Sequence, residues 1–128
     1  MGIVLDPENN TQRFFDKHTD DITAFDVHPD DETVATGEIG AKPYIYVWNS
    51  TTLEVKCEFK AVILKGICAL AFSPSGKRLV AAAIDDDHWV AVMDATGNGS
   101  VVAKLKGGRD VIISLAFNNE DVTILLII

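Results

Sequence analysis

The acidic turns, histidines and cysteines are the first residues of this sequence to test for chemistry. The run Asp85–Asp87 offers carboxylates to Ca²⁺, but it lacks the alternating oxygen donors, the glycine and the distant glutamate of a calcium loop. His18 and His28 lie far from any cysteine or histidine pair, and Cys57 and Cys68 have no metal-ligand spacing. The sequence therefore predicts no metal site and no cofactor.

Nucleophiles and acid–base pairs have no supporting pattern either. Ser73 and Ser75 flank a proline in a turn, without the strand–turn–helix context that presents a nucleophilic serine. The adjacent carboxylates of Asp20 and Asp21 have no neighbouring groups that would give them separate acid and base roles. The stretch GGRD (107–110) is not followed by a helical pattern, as a phosphate loop would require. We expect no catalytic residues, and therefore not an enzyme.

The charge balance narrows the class of partner. The net charge is −8, and the sequence shows no basic stripe of the kind that binds nucleic acid. Anionic membrane surfaces would repel such a chain as well. We expect another protein as the partner, with no nucleic acid and no membrane.

No stretch of the sequence predicts membrane insertion or secretion. The longest apolar run, VTILLII (122–128), is far shorter than the roughly 18 residues that a membrane span needs. The first residues, MGIVLDPENN, lack the basic flank and the long apolar core of a signal peptide. We expect a cytoplasmic chain with reduced thiols.

The elements that must position these residues follow a repeat of 45 residues. Val27-His28-Pro29 aligns with Phe72-Ser73-Pro74 at this offset, and Phe72 aligns with Phe117 in turn. The sequence predicts that the same offset holds along the whole unit without a gap. Two more matches support it, Trp48-Asn49 on Met93-Asp94 and residues 54–59 on 99–105.

Each unit is composed of short β-runs between turn residues. The first run, ITAFDV (22–27) or ICALAF (67–72), is apolar on both faces and predicts a strand enclosed on both sides. The last run, EVKCEF (54–59), alternates apolar and charged residues, which is typical of an outer strand with one wet face. A unit of about 45 residues and four antiparallel strands describes a propeller blade.

The residues resemble a known family at this point. The stretches KHTDDITAFDVHPDDETVATGEIG (17–40) and AFSPSGKRLVAAAIDDDHWVAVMD (71–94) resemble the WD40 repeats of the echinoderm microtubule-associated-protein-like family. The resemblance covers nearly the whole chain and implies an all-β propeller segment. It also implies a structural role on microtubules, with tubulin or axonemal proteins as partners and a cytoskeletal location that extends to cilia and flagella.

Standard WD40 blades contain a hydrogen-bond relay of His, Ser or Thr, Asp and Trp. In the first complete unit the resemblance assigns His18, Thr36 and Trp48 to three of these roles, but Lys42 stands where the Asp is expected. We therefore expect a degenerate blade, one whose relay is incomplete and which is held mainly by core packing.

The second complete unit departs from the relay pattern at other positions. Asp87 stands at the Asp position, whereas Met93 replaces the Trp and Ile63 lies 45 residues after His18. We again expect an incomplete relay.

Counting strands divides the chain into half, whole, whole and half blades. Residues 1–17 supply the last two strands of one blade, 18–60 and 61–106 supply complete blades, and 107–128 supply the first two strands of another. Because each blade buries its faces only against neighbours, this segment does not form a closed ring by itself. We expect further blades or another chain to cover Ile124–Ile128.

Protein-binding candidates fall on the connections between strands, where propellers present side chains at their rims. The leading interpretation is a non-enzymatic microtubule-associated segment, and the alternative is a general WD40 scaffold for a multiprotein complex without tubulin contact. The candidate contact residues are Asp20, Asp21, Lys42, Lys65, Asp86, His88 and Arg109.

Overall fold

The computed structural model is built from β-strands, and it describes residues 2–84, 87–97, 99–106, 114–117 and 124–127. Asp85, Asp86, Arg109 and Ile128 lie outside these residues. No helix of the described residues is long and apolar enough to cross a membrane. The strands are β1 (Gly2–Asp6), β2 (Thr11–Phe15), β3 (Ile22–Val27), β4 (Thr33–Glu38), β5 (Tyr44–Asn49), β6 (Val55–Lys60), β7 (Ile67–Phe72), β8 (Arg78–Ala83), β9 (Trp89–Asp94), β10 (Val101–Lys106), β11 (Ser114–Phe117) and β12 (Ile124–Ile127).

Four antiparallel sheets contain these strands. A first sheet has the order β3-β4-β5-β6 and a second sheet the order β7-β8-β9-β10, so that consecutive strands are hydrogen-bonded neighbours. An N-terminal pair, β1–β2, and a C-terminal pair, β11–β12, flank them. The predicted fold class, an all-β segment with two complete four-stranded sheets and no closed ring, is confirmed.

The two complete sheets repeat with one local exception. The first three strands of the second sheet start 45 residues after those of the first, at Ile67, Arg78 and Trp89. The fourth strand starts 46 residues after its counterpart, because the connection 95–100 is one residue longer than 50–54. The prediction of a gap-free offset is therefore wrong for the outer strand, where an exposed turn accepts an insertion without disturbing the ladder.

The residue pairing within the hairpins follows the 45-residue repeat more strictly than the strand boundaries do. Three hairpins, β3–β4, β7–β8 and β11–β12, pair their strands in equivalent registers. The pairs nearest each turn are Val27 with Val34, Phe72 with Leu79, and Phe117 with Ile124.

A second recurring feature identifies the third strands. Asp6, Asn49 and Asp94 end β1, β5 and β9, and each side-chain Oδ1 accepts a hydrogen bond from the backbone N–H two residues later. Such side-chain turns are a known way to end a strand at a tight connection. By this criterion β1 and β2 correspond to the third and fourth strands of a sheet.

The main core lies between the first and second sheets. Ile45, Val47 and Phe59 of the first sheet form one buried cluster with Leu79 and Met93 of the second. Small residues allow the sheets to approach closely, because β8 ends in three consecutive buried alanines. This interface is the best-covered part of the chain that the structure describes.

The innermost strands differ in coverage, although their sequences are similar. β7 is buried at five of its six residues, whereas β3 alternates between buried and exposed positions. The prediction that the first strand of each unit is enclosed on both sides holds for β7 and is wrong for β3. The physical reason is that one face of β3 packs over β7, while its other face is open among the described residues.

Candidate functional site

A hydrogen-bonded cluster joins the connection after β2 to the first sheet. The indole N–H of Trp48 donates to Thr36 Oγ1 at 3.0 Å, and Thr36 Oγ1 lies 2.6 Å from His18 Nε2. If the threonine hydroxyl donates to Nε2, the other ring nitrogen, Nδ1, carries the proton. We call these three residues the relay.

Glu38 completes the relay from an unexpected position. Its Oε1 lies 3.0 Å from His18 Nδ1, and its Oε2 accepts a hydrogen bond from the Thr19 hydroxyl at 3.0 Å. Both the imidazole and this carboxylate have fully buried side chains. Burial lowers the pKa of His18, which favours the neutral ring that this arrangement needs.

Sequence reasoning missed Glu38 because it placed the acidic member at position 42. Lys42, which stands there, is exposed. The sequence did contain a signal for Glu38. Thr36 and Glu38 are two residues apart on β4, so their side chains must lie on the same face of the strand.

Aromatic rings enclose the relay. Phe15 of β2 stacks on Trp48 with ring centroids 4.1 Å apart, and the Tyr46 ring packs edge-on against His18 at 4.8 Å. The Tyr46 hydroxyl donates to the backbone carbonyl of Lys17. The relay therefore fastens the N-terminal pair to the first sheet through both hydrogen bonds and stacking.

The second sheet replaces the whole relay with apolar side chains. The positions 45 residues after His18, Thr36, Glu38 and Trp48 hold buried members of the main core. Asp87 stands where a standard WD40 blade has its Asp, 45 residues after Lys42, but Ile63 occupies the place of the histidine. Apolar packing takes the place of the relay there, and the replacing residues are Ile63, Ala81, Ala83 and Met93.

The exposed candidates of the first sheet meet at one edge of the molecule. Ile39 N–H donates to the carbonyl of Asp21, and Gly40 N–H donates to the carbonyl of Lys65. Asp20 lies beside Gly40. Three connections, before β3, after β4 and before β7, are thus brought together, and we call this surface the junction rim.

Apolar side chains accompany the charged ones at the junction rim. Ile39 and Ile84 lie on either side of Gly66, where an added Cβ would sit 2.9 Å from Ile84 Cδ1 and 3.1 Å from Ile39 Cα. Leu64 precedes this glycine by two residues, and all three side chains are exposed. Exposed apolar residues next to charged ones are typical of protein-binding surfaces. Sequence reasoning named only the charged members, Asp20, Asp21, Lys42 and Lys65.

The remaining candidates do not join the junction rim. His88 is only 6% exposed, so it offers almost no surface to a partner, and its prediction as a contact residue is corrected. Asp86 and Arg109 lie outside the described residues. Among the described residues, no group of three or more His, Cys, Asp or Glu side chains could hold a metal ion.

Comparison with known proteins identifies the repeats. The model of the WD domain, G-beta repeat, matches residues 9–49 and 59–94. The ciliary WD repeat-containing protein ctxp80 of Euplotoides octocarinatus is 33% identical over 94% of this chain and 19% of its own length. The 77 kDa echinoderm microtubule-associated protein of Strongylocentrotus purpuratus is 32% identical over 72% of the chain and 15% of its own length.

A human relative extends the similarity to almost the whole sequence. Echinoderm microtubule-associated protein-like 2 is 26% identical over 98% of this chain and 21% of its own length. The chain thus spans about a fifth of the length of the relatives that it matches. The resemblance predicted from the sequence is confirmed, and the chain belongs to the WD40 repeat family.

Proposed function

We propose that this chain acts as a non-enzymatic, microtubule-associated WD40 segment in the cytoplasm, at the cytoskeleton and in cilia or flagella. Its role is structural, and it binds other proteins through the junction rim. The observation that carries the proposal is the union, on one exposed edge, of apolar and charged side chains in a chain whose relatives are named as microtubule-associated and ciliary proteins.

Charge restricts how such a surface could meet a microtubule. The outer microtubule surface is acidic, and a chain with a net charge of −8 is repelled from it within a Debye length of about 10 Å at moderate salt. Binding would then use a local basic patch, another region of the protein, or the less acidic lumen of the microtubule, and we propose the basic patch. The exposed side chains of Lys42 and Lys65 supply positive charge on connections of the rim that also carry the exposed Ile39 and Leu64.

Reversing the charge of the rim lysines tests the proposal. In co-sedimentation with microtubules, Lys42→Glu combined with Lys65→Glu should weaken binding several-fold, because rim charges govern association with an acidic surface. The matched control is Lys17→Glu combined with Lys77→Glu, which changes the net charge equally at exposed positions outside the rim. Equal loss in both double variants, or no pelleting of the parent chain at any salt concentration, would contradict the proposal.

The alternative is a WD40 scaffold that joins other proteins without touching tubulin. Ile39, Leu64 and Ile84 support it as well, because an apolar rim suits many protein partners. Proximity labelling in cells separates the two, since tubulin and axonemal neighbours favour the first function and subunits of an unrelated complex favour the second.

A further inference from the structure

Two lysines of β10 share one aromatic ring of β9. The Nζ atoms of Lys104 and Lys106 lie 5.3 Å and 5.6 Å from the centroid of the Trp89 ring. Lys106 lies opposite Trp89 in the antiparallel pairing, and Lys104, two residues earlier, lies on the same face of the sheet. An aromatic face attracts ammonium groups, so the indole holds both positive charges in one place. We call Lys104 and Lys106 the lysine pair.

The lysine pair has no acidic counterpart within the part of the chain that the structure describes. Ion pairs there connect His18 with Glu38 and His28 with Asp30, and none of them reaches either lysine. Both lysine side chains are exposed. Two like charges side by side repel each other, and an anion placed between them offsets that repulsion. The surface therefore favours a bound anionic group.

The equivalent place in the first sheet shows which of the two lysines is unusual. Lys60 lies opposite Tyr44 there, with its Nζ 5.4 Å from the ring centroid. A lysine over an aromatic ring thus belongs to both outer strands, and lysines of this kind also protect an edge strand from unwanted pairing. Glu58, however, stands two residues before Lys60, where the second sheet has Lys104. The second sheet therefore carries another positive charge in place of a balancing carboxylate.

The surroundings of the lysine pair are formed by complete sheets. Trp89, Ala91 and Met93 alternate on β9 and pack in or against the main core, so this face of the second sheet is turned toward the first sheet. Cross-strand partners share a face, and the lysine pair lies opposite Ala91 and Trp89. Because both sheets have four strands, the exposure of the pair does not arise from a missing strand of either sheet.

Spacing and neighbours indicate the kind of anion. Alternate side chains of a strand are about 6.6 Å apart, and the same spacing separates alternate side chains of an extended peptide. Val101, which lies opposite Met93 on the face of the lysine pair, is 46% exposed and offers an apolar contact beside the charges. The dense charge of a nucleic acid or an anionic membrane fits less well, because a chain with a net charge of −8 repels it.

We propose that the lysine pair binds an extended acidic segment of another protein, in which aspartate or glutamate alternates with uncharged residues. The segment runs along β10 with one carboxylate at each lysine, and an apolar side chain at the next position on the same face meets Val101. The site is separate from the junction rim. It goes beyond the proposed role at microtubules and does not require it, so a failure of co-sedimentation leaves this inference unchanged.

Binding of a synthetic peptide tests the proposal. A fluorescein-labelled peptide in which glutamate alternates with threonine should bind the chain in fluorescence anisotropy, and its affinity should fall with added salt. Lys104→Gln combined with Lys106→Gln should weaken binding by about three- to tenfold, because two exposed ion pairs are lost. The control, Lys60→Gln combined with Lys77→Gln, removes the same charge at exposed positions elsewhere and should leave the affinity unchanged.

Circular dichroism verifies that both double variants remain folded. Absence of binding at low salt would overturn the proposal, as would equal binding of a peptide with glutamine in place of glutamate. Equal weakening in the two double variants would also overturn it, because the attraction would then come from overall charge. Tighter binding of a single-stranded oligonucleotide or of phosphatidylserine vesicles through the same lysines would assign the site to phosphate groups and reject the acidic segment.

The indole of Trp89 provides a second, local readout. The chain has two tryptophans, of which Trp48 is buried in the relay and Trp89 is partly exposed. In proton–nitrogen correlation spectra, addition of the glutamate peptide should shift the indole signal of Trp89 and leave that of Trp48 in place. Trp89→Phe assigns the two signals. A spectrum in which neither signal moves, or in which both move equally, would contradict binding at the lysine pair.

Discussion

Thr36 holds the relay together because its hydroxyl serves two partners at once. It accepts from the Trp48 indole and lies within hydrogen-bond distance of His18 Nε2, in surroundings that exclude water. On the opposite side of the imidazole, Glu38 accepts from both His18 and Thr19. A short chain of polar groups is therefore satisfied in the interior, which fixes how the first sheet meets the segment before it.

Removing the hydroxyl should therefore cost more than one ordinary hydrogen bond. Thr36→Val keeps the shape of the side chain but leaves the buried indole N–H and the imidazole nitrogen without their partner. We expect a loss of about 1–3 kcal/mol in the free energy of unfolding, measured by denaturant titration. Thr51→Val, at an exposed turn residue, is the matched control and should change stability by less than about 0.5 kcal/mol. Equal effects would show that the relay contributes nothing to stability.

At the scale of the element, close approach between strands decides which residues are allowed. The first sheet lies against β7 where Gly37 meets Ile67, and a Cβ added at Gly37 would sit 2.8 Å from the Ile67 Cβ. Real side chains essentially never come so near, so one strand would have to move. The absence of a side chain at position 37 is thus a condition for packing the two sheets.

Gly37→Ala tests this condition. We expect a loss of about 1–3 kcal/mol in the free energy of unfolding, because the added methyl group overpacks the interface. The control is Gly2→Ala, where the nearest heavy atoms would lie at an ordinary 3.5 Å. Both variants can be compared by thermal and denaturant unfolding. A neutral Gly37→Ala would mean that the sheets separate at little cost.

At the scale of the whole molecule, the open faces of the segment decide its behaviour. The main core lies between two complete sheets, whereas one face of β3 and the free edge of β1 have no cover among the described residues. Each unit of such an architecture buries its faces only against its neighbours, and the interface between the two complete sheets is the one that the described residues fill.

Much of this architecture can be predicted from the sequence. The 45-residue period, the short strands and the family resemblance follow from local patterns, since turn residues and two-residue alternation act within a few positions. The rest depends on contacts between distant positions. Glu38 was missed because relay patterns place the acid in a later turn, and the apolar members of the junction rim were missed because they come from three separate connections.

The sequence by itself determined the strand order, the fold class and the three relay residues His18, Thr36 and Trp48. Only the tertiary structure decided that Glu38 serves the relay, that His88 is buried, and that Phe25 is exposed while its counterpart Leu70 is covered. The physical reason is that periodicity records which faces of a strand are apolar. Burial depends instead on whether another sheet lies against that face, and only the packed arrangement supplies that neighbour.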